Sequence, residues 1–126
     1  MLEGLTSKIK LHQRPVSVNE ALTSARLVRK NFEVPLIFRD SDRLLIGRDE
    51  RLVTLVIHDA FISRTHAAIV QEDDNFYLQD LNSKNGTFLN DQRLAPGGRS
   101  ERPLKHGDKL KFNTVEFQFI VPTEDV

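Results

Sequence analysis

Cysteine is absent from the 126 residues, which excludes a disulfide framework, a thiolate metal site and a thiol nucleophile. Nothing therefore calls for an oxidising compartment. Long apolar runs are missing too. None approaches the roughly 18 residues that a membrane span takes, and Met1 to Lys10 lacks the continuous apolar stretch of a secretion signal. Nor is there surplus charge: eighteen Lys and Arg balance eighteen Asp and Glu. A general affinity for nucleic acid or for a membrane surface rests on excess positive charge, so neither partner is expected. Internal repeats and low-complexity segments are also lacking. The expectation is a cytoplasmic protein in which any anion site is local.

What is present is 39% apolar and 29% charged residues, enough for one globular domain with its own core. Residues 1–16 are polar, with one short alternation at Lys8-Ile9-Lys10-Leu11 that fits either an edge strand or a tail, and read as a flexible tail. Over 17–33 the pattern turns helical: Val18, Ala21, Leu22, Ala25 and Val28 share one stripe, and Ser17-x-x-Glu20 is a capping box. The spacing predicts a helix over 18–30, outside the main fold. It should end near Asn31, because the chain must be extended just before Pro35.

From Val34 the apolar period is near two and the residues are branched or aromatic. Strands are predicted at Pro35 to Arg39, Leu44 to Gly47, Leu52 to Ile57, His66 to Gln71 and Phe76 to Leu81. Further ones follow at Thr87 to Leu89, Gln92 to Leu94, Lys109 to Phe112 and Val115 to Val121. Turns fall at Asp40-Ser41-Asp42, Glu72 to Asn75, Asn90-Asp91 and Asn113-Thr114, and a looser loop runs from Ala95 to Arg102. Asparagine and aspartate tolerate the positive φ that tight hairpins require. Short strands at this spacing make an all-β antiparallel sandwich over 34–122, with 123–126 as a C-terminal tail.

Three polar pieces stand at strand ends: Gly47-Arg48, Ser63-Arg64-Thr65-His66, and Asn82-Ser83-Lys84-Asn85-Gly86-Thr87. Lying at one end of a sheet, they would pool two guanidiniums, an ammonium, hydroxyls and an amide, which is the chemistry of an anion site. Arginine's planar fork suits a phosphate ester best. Asn85, with a donor and an acceptor, suits a peptide main chain. Taken singly, each has a plainer reading: Arg48 as a solvated charge, Ser63 as a turn residue, Asn85 as hairpin chemistry with Gly86. His66, three residues after Ser63, invites a nucleophile and base, yet only Asp59 is nearby in sequence as an orienting carboxylate, and a structural histidine fits better. His12, His58, His66 and His106 show no ligand-like pairing, so no metal or cofactor is expected. Asn85-Gly86-Thr87 matches a glycosylation sequon, discounted without an export signal.

In this order and spacing the pieces resemble the forkhead-associated (FHA) family, over residues 34 to 122. The resemblance implies a sandwich of two twisted antiparallel sheets that binds phosphothreonine peptides through loops at one end. It implies that Arg48 and Ser63 contact phosphate, that Arg64 and Lys84 add phosphate or peptide contacts, and that Asn85 holds the peptide main chain. Gly47, His66, Gly86 and Thr87 would shape the loops, and Phe61 and Ile62, before the serine, would select an apolar residue third after the phosphothreonine. Two turns depart from the family pattern: Asn90-Asp91 stands for Asn-Gly, and Phe112-Asn113 for Phe-Gly. The expected function is a non-catalytic docking module downstream of a serine/threonine kinase. The alternative is a phosphate-independent assembly module on the same fold.

Overall fold

A computed structural model describes residues 8–12, 17–38, 41–97 and 101–122. The expected tails at 1–7, 13–16 and 123–126, Arg39 at the end of the first expected strand, Asp40 at the start of the first expected turn, and Gly98 to Ser100 in the loose loop lie outside the described residues.

Twelve strands form two six-stranded sheets among the described residues. The first holds β1 (Ile9–Leu11), β4 (Arg43–Gly47), β5 (Leu55–Ile57), β6 (Ala67–Glu72), β7 (Asn75–Asp80) and β10 (Arg102–Pro103), in the spatial order β1-β5-β4-β6-β7-β10. The second holds β2 (Arg26–Arg29), β3 (Phe32–Pro35), β8 (Thr87–Leu89), β9 (Gln92–Arg93), β11 (Lys109–Phe112) and β12 (Val115–Ile120), in the order β3-β2-β12-β11-β8-β9. The core lies between them. Val115, Phe117 and Phe119 on β12 are buried while Glu116 and Gln118 are exposed, the period of two that a half-buried strand requires. Leu27, Ile46, Leu55, Ile57, Ile69, Leu78, Leu110 and Phe112 join them, all fully enclosed. Each such side chain contributes about 1.5–3 kcal/mol through its removal from water.

One pair departs from the antiparallel expectation. β4 and β5 run parallel, with Ile46 opposite Leu55 and Gly47 opposite Val56. Their C-terminal ends therefore point the same way, so Arg48 and the 58–66 loop leave from one edge. The antiparallel pairing of Ala67 with Ile46 and with Asp80 brings the start of β6 and the end of β7 to that same edge. The topology alone thus gathers the loops after Gly47, Ile57 and Asp80.

The N-terminal expectations need correction. The only described helix, α1, spans Val18–Thr23, not 18–30, and its capping box is formed in both directions between Ser17 and Glu20. After it the chain enters the second sheet as β2, so residues 17–33 are no helical extension. Ala25 and Leu27 are both buried, an alternation of two that outweighs the helical stripe. Leu27 lies opposite Val34 and Phe119. Lys30-Asn31 closes the β2–β3 hairpin, with Lys30 at φ +55°. Residues 9–11 are an edge strand paired with β5 rather than tail. Smaller shifts occur elsewhere: Leu36 to Phe38 lie beyond β3, and before β5 Leu52 and Val53 lie in a turn built on Asp49 while the Thr54 N–H donates to the Leu45 carbonyl. The two unusual turns are well served. Asn90, Asp91 and Asn113 all have positive φ, which asparagine and aspartate accept more readily than other non-glycine residues.

Candidate functional site

The Gly47 edge carries the site. Beyond β4 the chain stays laddered to the 58–66 loop: Arg48 N donates to Ser63 O at 3.0 Å and Asp49 N to Arg64 O at 3.2 Å. This approach leaves no room for a side chain on residue 47. A Cβ there would stand 2.1 Å from the Arg64 carbonyl oxygen. Glycine is thus what allows Arg48 and Ser63 to become neighbours. Arg48 then points its Nε at the Ile62 carbonyl, 2.9 Å away, which fixes the base of an otherwise exposed guanidinium.

His66 joins the second loop to the third. Its Nδ1 accepts from the Ser63 backbone N–H at 3.1 Å, so the ring proton sits on Nε2 and is donated to the Gly86 carbonyl at 2.9 Å. The ring is fully enclosed and meets Phe112 edge-on at 5.9 Å. Burial pushes its pKa below 6.5, against the smaller opposing pulls of the Gly86 carbonyl and the Asp80 charge. A neutral histidine clamped at both nitrogens braces loops; it does not activate a hydroxyl. The Ser63 Oγ instead accepts from the Lys84 backbone N–H at 3.0 Å, and Asp59 binds Lys8 and the Phe61 N–H. No nucleophile-base-acid arrangement exists there.

The third loop is held from below by a residue that the sequence reading passed over. The buried carboxylate of Asp80 accepts from the Ser83 N–H at 3.1 Å, from the Ser83 hydroxyl in a short bond, and from the Thr87 hydroxyl at 2.7 Å. Ser83 Oγ in turn accepts from the Gly86 N–H at 3.1 Å. Gly86 has φ +97°, and its carbonyl also accepts from the Asn113 N–H at 3.2 Å. Lys84 and Asn85 are thereby presented at the tip. The spacing Asp-x-x-Ser, with a carboxylate three residues before an amide it can cap, was the available signal.

Arg48, Ala60, Phe61, Ile62, Ser63, Lys84 and Asn85 line one cleft of about 210 Å³. Six of the residues named from the sequence thus meet: Arg48, Phe61, Ile62, Ser63, Lys84 and Asn85. Asn85 Nδ2 donates to the Phe61 carbonyl at 2.8 Å and ties the second loop to the third. Phe61 is 64% exposed, whereas the Ile62 side chain is in the core at 1%. Ile62 thus offers the cleft its carbonyl and cannot present an apolar side chain to a ligand. Arg64 is not in the lining. Its Nε and Nη2 lie 3.3 and 3.1 Å from Asp49 Oδ2. Gly47, His66, Gly86 and Thr87 stand behind the cleft, each buried. Among the described residues no group of His, Asp and Glu is gathered to hold a metal ion, and no helix is long and apolar enough to cross a membrane.

The FHA domain family model matches residues 44–113, more than half of the chain. Among curated proteins, the probable E3 ubiquitin-protein ligase dma1 of Schizosaccharomyces pombe is 41% identical over 49 residues, covering 39% of this chain and 18% of that protein. The chain thus spans under a fifth of that relative. Among solved structures, Mycobacterium tuberculosis EmbR in complex with a low-affinity phosphopeptide superposes with a TM-score of 0.68 at 28% identity, over 81% of this chain and 25% of that one. The MEK1 FHA domain in complex with a HOP1 phosphothreonine peptide gives 0.66 at 26% identity, over 80% and 99%. With the two-sheet sandwich, the loop-bearing edge and these likenesses together, the chain belongs to the FHA domain family.

Proposed function

We propose that this chain is a phosphothreonine-peptide-binding module, with the cleft at the Gly47 edge as its docking site. The observation that carries the reading is the convergence of Arg48, Ser63 and Lys84 from three loops on one cleft, with Asn85 at its rim. A phosphothreonine brings about −1.5 to −2 charges and three acceptor oxygens. The guanidinium of Arg48 and the ammonium of Lys84 supply charge, and the Ser63 hydroxyl, which has one proton to give beyond the bond it accepts, supplies a neutral donor. Asn85, already spending one N–H on Phe61, keeps its remaining amide groups for the peptide main chain. The exposed ring of Phe61 beside the cleft is the apolar surface that would meet residues after the phosphothreonine.

On this reading the module acts without catalysis, in the cytoplasm, on proteins marked by a serine/threonine kinase, and it has no use for nucleic acid, membrane, metal or cofactor. The EmbR and MEK1 complexes support the phosphopeptide as ligand class, because each holds one on the same fold. Affinity selection from an oriented phosphothreonine library tests it. Recovery of phosphorylated sequences with an apolar residue third after the phosphothreonine is the expected result. A matched peptide pair separates this from phosphate-independent assembly: equal affinity with and without phosphate would favour assembly.

A further inference from the structure

Arg64 follows Ser63 directly, yet its guanidinium is turned away from the cleft and held by Asp49. Two consecutive backbone bonds hold the loops together here: Arg48 N–H to the Ser63 carbonyl, then Asp49 N–H to the Arg64 carbonyl. Arg48 and Ser63 line the cleft, whereas Asp49 and Arg64 do not.

Asp49 is doubly engaged. Its Oδ1 accepts from the Arg51 N–H at 3.0 Å and from Arg51 Nε at 3.2 Å, and its Oδ2 receives Arg51 Nη2 at 3.2 Å as well as Arg64. These contacts, those of Arg51 first and that of Arg64 after, hold its carboxyl well below the usual range, so it is an anion at any working pH. The two arginines differ in what they could leave behind. If Arg64 departs, Arg51 still satisfies both carboxylate oxygens, so the departure strands no charge. The side chain of Arg64 is 61% exposed.

Resting on the phosphopeptide reading above, we propose that Asp49 is a positioning residue that stores Arg64 outside the cleft and competes with the ligand phosphate for it. Binding then exchanges one anion for another: Arg64 leaves a single shared carboxylate oxygen for a dianionic ester one residue away. Asp49 sets the affinity of the cleft from outside it, keeping binding weaker than the cleft alone would give and making it depend on the full charge of the phosphate.

The test uses the phosphothreonine peptide that the wild-type chain selects from an oriented library, with its unphosphorylated twin, in a double-mutant cycle by titration calorimetry. Asp49→Asn keeps the oxygen that caps the 49–52 turn and removes the charge. It is expected to raise phosphopeptide affinity about three- to fivefold, the upper part of the range for an exposed Arg-carboxylate pair, with no gain for the unphosphorylated twin. In the Arg64→Ala background the same substitution should change affinity less than twofold. No gain from Asp49→Asn, or an equal gain without Arg64, would overturn the proposal. A second measurement does not depend on the variants: the Arg64 Nε–H resonance of the wild-type chain should move on adding phosphopeptide and stay put with the twin. An unmoved resonance would overturn the exchange. Failure of the wild-type chain to select any phosphopeptide would instead count against the function itself.

Discussion

Single residues decide whether this edge is a site at all. Gly47 is the sharpest case, because an added Cβ would meet backbone on the facing loop rather than a side chain that can yield. Gly47→Ala should destabilise the fold by at least ~2 kcal/mol through overpacking, read as a lower urea midpoint at unchanged slope. Asp80→Ala would leave the Ser83 amide and the Ser83 and Thr87 hydroxyls without their common acceptor. A loss of about 1–3 kcal/mol is expected, together with weaker phosphopeptide binding as the Lys84-Asn85 tip loosens. His66 makes stability depend on pH. Its folded pKa lies below the 6.5 of the unfolded chain, so between the two the unfolded state binds the extra proton. His66's contribution is complete above pH 6.5 and is lost as pH falls below it. Urea midpoints should therefore fall from pH 7 towards pH 5, and a flat profile over that window would contradict the buried neutral ring.

At the scale of elements, the strands carried by alternation were legible and the N-terminal third was not. Thr87–Leu89 and Lys109–Phe112 have the predicted bounds, and Val115–Ile120 is shorter by one residue. Turn chemistry at Asn90-Asp91 and Asn113 was legible because positive φ narrows the choice of residue. Residues 24–33 misled because Ala25 fits both readings over so short a span: with Val28 it continues the helical stripe, and with Leu27 it alternates by two. The choice fell to tertiary partners, Val34 and Phe119, which the local pattern does not contain. The site shows the same division. Arg48, Ser63, Lys84 and Asn85 stood out by type and spacing, whereas Asp80 read as one more acidic residue at a strand end, and the burial of Ile62 depended on how its loop folds back. The element-level test is Leu27→Ala. With the side chain enclosed in the second sheet, the loss should be about 2–5 kcal/mol, measured by denaturant unfolding. A change under 0.5 kcal/mol is what a detachable helical extension would give.

For the whole molecule, the division of labour is between a hydrophobic sandwich that fixes position and one edge where three loops pool Arg48, Ser63, Lys84 and Asn85. Net charge is zero, so on the proposed reading the attraction to a phosphopeptide would be local and short in range. Affinity should fall with added salt, and it should also fall below about pH 6, where the ester loses its second charge. On the proposed reading the guanidinium of Arg48, fixed at the Ile62 carbonyl and beside Ser63, is the main partner of that phosphate. The direct measurement is the affinity of Arg48→Ala for the selected phosphothreonine peptide, by titration calorimetry, with its fold verified by thermal melting. Removing one member of a desolvated charge pair costs about 2–5 kcal/mol, so weakening by well over tenfold is expected. A folded Arg48→Ala variant that binds the phosphopeptide as tightly as the wild-type chain would contradict it.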